Sequence, residues 1–193
     1  MKATGIVRRI DDLGRVVIPK EIRRTMKIRE GEMLEIFTGR ENEVVFKKYS
    51  PVGGVGESAA MFAEAAAKAS GVNVAVCDRD TVTAAAGKDK RAVLGKNVSH
   101  TLSELMENRK CYTADSEGAS ITDTGEGSIS HFCPVVADGT VVGGVMSFRT
   151  DGFSAPAEAE KQVISTGAML LSGQIEIYKN RRVLADFLFI EVI

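Results

Sequence analysis

The sequence has no tryptophan, two histidines, three cysteines, three tyrosines and four prolines. Three cysteines, an odd number without short spacing, exclude a disulfide scaffold and a zinc ribbon. Two histidines leave little from which to build a metalloenzyme. No apolar run approaches the roughly 20 residues needed to cross a bilayer. The opening segment MKATGIVRRIDD lacks the apolar core of a signal peptide, so a cytoplasmic protein without membrane contact is expected. Apolar residues make up 44% and charged residues 26%, which speaks against wholesale disorder. A length of 193 residues allows one or two domains.

The formal net charge of -1 conceals an asymmetry. Residues 1–50 carry 12 Lys+Arg against 8 Asp+Glu, net +4, and residues 51–193 carry 13 against 18, net -5. Such a split points to nucleic-acid or membrane contact, against the plainer reading of a solvated face. The basic set is rich in arginine: Arg8, Arg9, Arg15, Arg23, Arg24 and Arg29. A guanidinium grips phosphate through a planar fork, where lysine offers a point charge.

Along the chain, residues 4–10 read as a strand and Asp11-Asp12-Leu13-Gly14 as a turn. Residues 15–18, RVVI, read as a second strand. Pro19 fits a helix start, and Ile22 and Met26 share one face of the helix 19–26. Residues 33–37 and 44–48 read as two more strands, joined through Gly39, Arg40, Glu41 and Asn42. Fifty residues bury little core alone, so an intertwined dimer is expected to supply what is missing. Residues 51–56 read as a linker rich in Gly and Pro. Residues 57–178 then give helix 57–70, strands 72–78 and 81–86, short helix 102–108, strands 111–114, 129–137 and 141–149, and a long helix 158–178. Hairpin-joined strands imply an antiparallel α+β sheet with helices on one face. A polar stretch, 115–128, reads as a long loop. The tail 179–193 contains the apolar VLADFLFIEVI, which leaves open a partner contact, an added edge strand or an extension.

The segment Thr4 to Arg24, with G-R-V-V-I-P followed by Glu21-Ile22-Arg23-Arg24, resembles the AbrB family of swapped-hairpin transcription regulators. Leu34-Glu35-Ile36-Phe37 and Lys47-Lys48-Tyr49 also match. Residues 57–178, with Val74-Ala75-Val76-Cys77-Asp78-Arg79-Asp80, are similar to a GAF domain. The resemblance implies an all-β swapped-hairpin barrel made by two interleaved protomers, followed by the α+β GAF domain. It implies double-stranded DNA as partner, with contacts from Arg8, Arg9, Arg15, Arg23 and Arg24. It implies homodimers that pair into homotetramers, control of sporulation genes by activation and repression, and an unidentified small molecule for the GAF domain. No cofactor, metal or catalytic group is expected. On a strand Arg8 and Arg9 face opposite sides. No residue pattern dictates base readout, so DNA shape is the expected source of specificity.

Cys77, Cys111 and Cys133 read as structural cysteines, and a Cys-dependent GAF reductase is the less favoured alternative. His131 and His100 lack a nucleophile-and-carboxylate spacing, and His131 reads as a strand residue. Gly143-Gly144 marks a bulge or a close backbone approach. The Ala-rich helix 57–70 is either a dimer face or a good helix former. Ser116, Thr122, Thr124 and Ser128 of the polar loop are candidates to orient a ligand over the sheet. An antitoxin with the same hairpin fold is the second reading, set back by the folded domain that follows.

Overall fold

The computed structural model describes residues 4–39 and 43–190, with side chains to Asn180. It divides into two units, Met1–Tyr49 and Ser50–Ile193, each treated by itself.

In the first unit, α1 (Lys20–Thr25) starts after Pro19, whose fixed φ suits that position. Strands β1 (Leu34–Thr38) and β2 (Val44–Lys48) pair antiparallel, with Ile36 opposite Phe46. The Gly39 N–H donates to the Glu43 carbonyl at 2.8 Å and closes this hairpin. The connecting residues Arg40, Glu41 and Asn42 lie outside the described residues. Two expected strands are absent among those described: residues 4–10 and 15–18 belong to no strand. A strand is stabilised by a hydrogen-bonded neighbour, and among the described residues these segments have no ladder partner; the Asp11 N–H bond to the Arg15 carbonyl at 3.1 Å belongs to the turn between them. Among residues 4–39 and 43–49 no side chain is buried.

The second unit begins where a linker was expected. Ser50 caps α2 (Pro51–Gly54) by accepting from the Gly53 N–H, and Val52 is fully buried. Proline at the first helical position and a serine cap outweigh the glycines. Helix α3 (Gly56–Ser70) follows, then β3 (Asn73–Asp78), β4 (Val82–Ala86), α4 (Lys90–Val93), α5 (His100–Glu107), β5 (Tyr112–Thr113), β6 (Ser128–Ala137), β7 (Thr140–Arg149) and α6 (Glu158–Ile190). The strands form one antiparallel sheet in the order β4-β3-β7-β6-β5. Asp138 (φ 47°) and Gly139 (φ 69°) make the tight β6–β7 turn, which needs two positive φ angles.

Helices cover both faces of this sheet, not one. Val52, Ala59, Ala63, Ile164, Leu171 and Ile175 pack on one side, and Val93, Leu102, Met106 and Ile121 on the other. The reason lies in the strands: β3 and β7 are apolar on both faces, so neither face tolerates water. The alanines of α3 serve this core. Ala59, Ala63 and Ala66 let the helix lie close to the sheet. A Cβ at Gly144 would overlap the Phe132 ring, and one at Gly143 the Cys77 carbonyl, so this pair marks a close approach. Helix α6 runs to Ile190, twelve residues beyond its expected end at Tyr178. No proline or glycine follows Gly173 to stop it. The tail through Ile190 is therefore helix and not an added edge strand, and residues 191–193 lie outside the described residues. No described helix is long and apolar enough to cross a membrane.

Candidate nucleic-acid interface

The turn after Arg8 and Arg9 is built by Asp11. One carboxylate oxygen accepts from the Leu13 N–H at 3.1 Å and the Arg15 N–H at 2.8 Å, and the other accepts from Arg15 Nε at 2.8 Å. Gly14 N–H donates to the Asp11 carbonyl at 3.0 Å. The Arg15 backbone N–H first, and then the Arg15 guanidinium, hold the Asp11 carboxyl below its usual range. The Arg15 side chain stays 70% exposed, so its fork is oriented but open to a partner. Arg8 and Arg9 are also exposed.

Arg23 and Arg24 occupy the last turn of α1, where positive charge suits the free carbonyls. The Arg23 carbonyl accepts from the Ile28 N–H at 2.7 Å, and Lys27 turns the chain at φ 52°. Arg24 is exposed and Arg23 half-buried. The turn thus joins Arg15 to the segment bearing Arg8 and Arg9, while Arg23 and Arg24 ride on a separate element. The role of Asp11 as the residue that sets Arg15 was not singled out in the sequence, although an Asp four residues before an Arg across a glycine turn was the available signal.

Apolar groups surround these arginines without a core to enter. Val7 is 88% exposed, Leu13 70%, Val17 73% and Ile36 63%. No described side chain of this unit covers them.

In the second unit the polar loop is self-satisfied. Glu126 receives Lys96 Nζ at 2.6 Å and the Thr122 hydroxyl at 2.6 Å, and Thr124 also bonds it. Lys96 first, then these hydroxyls, pull its carboxyl down to about 2. Ser128 Oγ donates to the Gly118 carbonyl, and Ser116 Oγ to Asp115. Beneath the loop, Ile121, Ile129, Phe132, Met146 and Phe148 are fully buried and fill the sheet face. Cys77 is free, and burial pushes its thiol up to about 12, which makes it inert. Cys111 and Cys133 form a disulfide, a pairing that the odd, widely spaced cysteines did not suggest. Their 22-residue separation hides a direct opposition across β5 and β6. His131 is a buried strand residue whose imidazole is held below its ordinary value by burial, then by Lys161.

An arginine-bearing hairpin-and-helix unit followed by a two-faced antiparallel α+β domain defines a class, the two-domain transcription factor. The family described as stage V sporulation protein T C-terminal, transcription factor, matches residues 54–176. Stage V sporulation protein T of Bacillus subtilis is 42% identical over 179 residues, 91% of this chain and 99% of that protein. The chain belongs to the stage V sporulation protein T family. Residues 7–53 also match the family described as antidote-toxin recognition MazE, bacterial antitoxin. The transition state regulatory protein AbrB of B. subtilis is 57% identical over 51 residues, 26% of this chain and 52% of AbrB. The PixJ GAF domain of Thermosynechococcus elongatus is 13% identical, covers 72% of this chain and 97% of its own, and superposes with a TM-score of 0.50, a likeness of fold alone.

Proposed function

We propose that the chain is a DNA-binding regulator of sporulation genes, able to activate and to repress. Residues 1–50 bind double-stranded DNA through Arg8, Arg9, Arg15, Arg23 and Arg24. The observation that carries this reading is the first unit itself. It presents arginines on fixed local frames and buries none of its described side chains. Two copies interleaved would give segments 4–10 and 15–18 their missing strand neighbours, close a barrel over Val7, Val17 and Ile36, and set ten guanidiniums on one assembly. Residues 57–178 act as the GAF-type sensor and oligomerisation domain. Met169 (68% exposed), Ile177 (57%) and Met61 (67%) on α6 and α3 favour a further pairing, into a homotetramer. A small molecule would act by binding two arrangements of the oligomer unequally. It would have to displace the residues that now fill the sheet face under the loop. The protein works in the cytoplasm, at the nucleoid.

The test is fluorescence anisotropy of the full chain on promoter-sized duplex DNA. If six to ten phosphates are neutralised, affinity falls by about 10³–10⁵ between 50 and 200 mM salt. Arg23→Ala with Arg24→Ala should weaken binding on every sequence and flatten that slope. Full affinity in the double variant would remove these two arginines from the interface.

The MazE-type match over residues 7–53 is the observation behind the antitoxin reading. An antitoxin needs a tail that wraps a toxin, and this chain continues instead into a folded unit from Ser50 onward. Co-purification with a small ribonuclease would reverse that preference. A binding protein rather than an enzyme is the reading supported by membership in a transcription-factor family.

A further inference from the structure

The β5–β6 ladder places Tyr112 opposite Phe132 and Thr113 opposite His131. Continuing that register one step sets Cys111 opposite Cys133. Alternation along a strand then puts Cys111, Thr113, His131 and Cys133 on one face. That face is the one covered by α6, because Ser165 Oγ lies 3.3 Å from Cys133 Sγ. The two sulfurs and a His131 ring nitrogen all fall within 4.8 Å of one another.

The geometry goes further than proximity. His131 Nε2 lies 3.5 Å from Cys133 Sγ, and Nδ1 lies 2.8 Å from Thr113 Oγ1. A tetrahedral zinc with bonds of about 2.3 Å to sulfur and about 2.05 Å to nitrogen sets those two ligand atoms about 3.5 Å apart. The histidine is therefore already at ligand spacing from one sulfur. Its other nitrogen has an outer hydrogen-bond partner, as ligating histidines normally have, and the Thr113 hydroxyl can accept from Nδ1–H when Nε2 is the ligand atom. Ser165 stands ready to donate to a thiolate. His131 and Cys133 are buried and Cys111 is exposed, outside the strand proper. So one ligand can move while two are fixed. The surroundings are also polar beyond what packing explains. Ser147, opposite His131 on β7, is fully buried with its hydroxyl unpartnered, and Glu160 keeps a buried, unpartnered Oε1.

We propose that Cys111, Cys133 and His131 form a thiolate–imidazole site for a divalent cation of the zinc class, which replaces the Cys111–Cys133 bond once both sulfurs are reduced. Two thiolates and an imidazole suit borderline-soft ions and not magnesium or calcium. Reduction by a thiol-class reductant breaks the S–S bond. Each sulfur gains one electron and one proton, and two reductant thiols become a disulfide. The cation then binds both sulfurs and releases those two protons. A water completes the fourth position on the exposed Cys111 side. Bond and cation use the same sulfur electrons, so they exclude one another. Either one clips the two-residue edge strand β5 to β6.

The experiment uses the full chain, reduced with dithiothreitol and desalted without oxygen, titrated with Co²⁺ as the spectroscopic probe. The expected result is a thiolate-to-cobalt charge-transfer band with tetrahedral d–d bands. They should saturate at one Co²⁺ per chain, vanish on adding Zn²⁺, and be absent from the disulfide form. Cys111→Ser, at an exposed position that leaves the fold intact by circular dichroism, should weaken Co²⁺ binding at least tenfold. Thr113→Val should weaken it by about 10–100-fold through loss of the His131 partner. A reduced, folded chain without the charge-transfer band would overturn the proposal. So would a band that Cys111→Ser leaves unchanged, since the cation would then be bound elsewhere.

Discussion

Asp11 holds Arg15 twice, once through the backbone N–H and once through Nε, both at 2.8 Å. An acidic residue thus sits inside the most basic stretch of the chain, and orientation and charge make opposite demands on it. Removing Asp11 adds positive charge, which alone would tighten binding to phosphate. It also releases Arg15 and opens the turn. We expect Asp11→Ala to weaken DNA binding at 50 mM salt, read by anisotropy, because a freed guanidinium must be ordered again on each encounter. Tighter binding would show that bulk charge outweighs orientation here. The carboxyl is lowered in the folded chain, so its contribution is present at neutral pH and lost as pH falls through the lowered value.

Ile36 supplies a second expectation. It is 63% exposed, and an exposed position normally accepts a charge at little cost. If a second copy covers it, Ile36→Asp buries a carboxylate without a partner, at a cost of several kcal/mol. The first unit should then lose its thermal transition and its DNA binding, while the second unit melts as before. Differential scanning calorimetry separates the two.

Gly144 and Phe132 give a packing prediction. The Phe132 ring occupies the space that a Cβ on Gly144 would need. Gly144→Ala should cost about 1–3 kcal/mol by overpacking, seen as a lower urea midpoint. Phe132→Leu in the same chain should restore part of that loss, which a general weakening of the strand would not permit.

Glu126 yields a pH dependence. Its carboxyl titrates at about 2 in the folded chain against an ordinary 4.5. The depressed value means that the ionised form stabilises the loop above 4.5, and the benefit drains away as pH falls from 4.5 toward 2. The Ile121 N–H, bonded to the Gly127 carbonyl at 2.8 Å, reports on this loop. Its exchange protection should decline across that window and lose the decline in Glu126→Gln.

Much of this is legible in the sequence. The Asp11–Gly14 turn, the helix after Pro19, most of the succession of helices and strands along the second unit and the Asp138-Gly139 turn follow from local rules, and each formed where local chemistry placed it. Misreadings occurred where a distant neighbour decides. Pro51 and Ser50 turned a glycine-rich run into a helix because Val52 had a core to enter. The two-sided burial of β3 was written in its unbroken apolar run, but which helices would cover the second face was not. The pairing of Cys111 with Cys133 depends on β5 lying beside β6, a contact that no spacing motif encodes. In the candidate interface, residue types were readable from the resemblance, while the clamp of Asp11 on Arg15 needed the turn geometry.

If two copies pair as proposed, a unit with no fully buried side chain among its described residues ties its folding to encounter. At low abundance the share of paired hairpins would then grow with the concentration of chains, so halving the supply would remove more than half of the paired form. A cell that makes this protein slowly would then see promoter occupancy rise more steeply than protein supply, up to about its square.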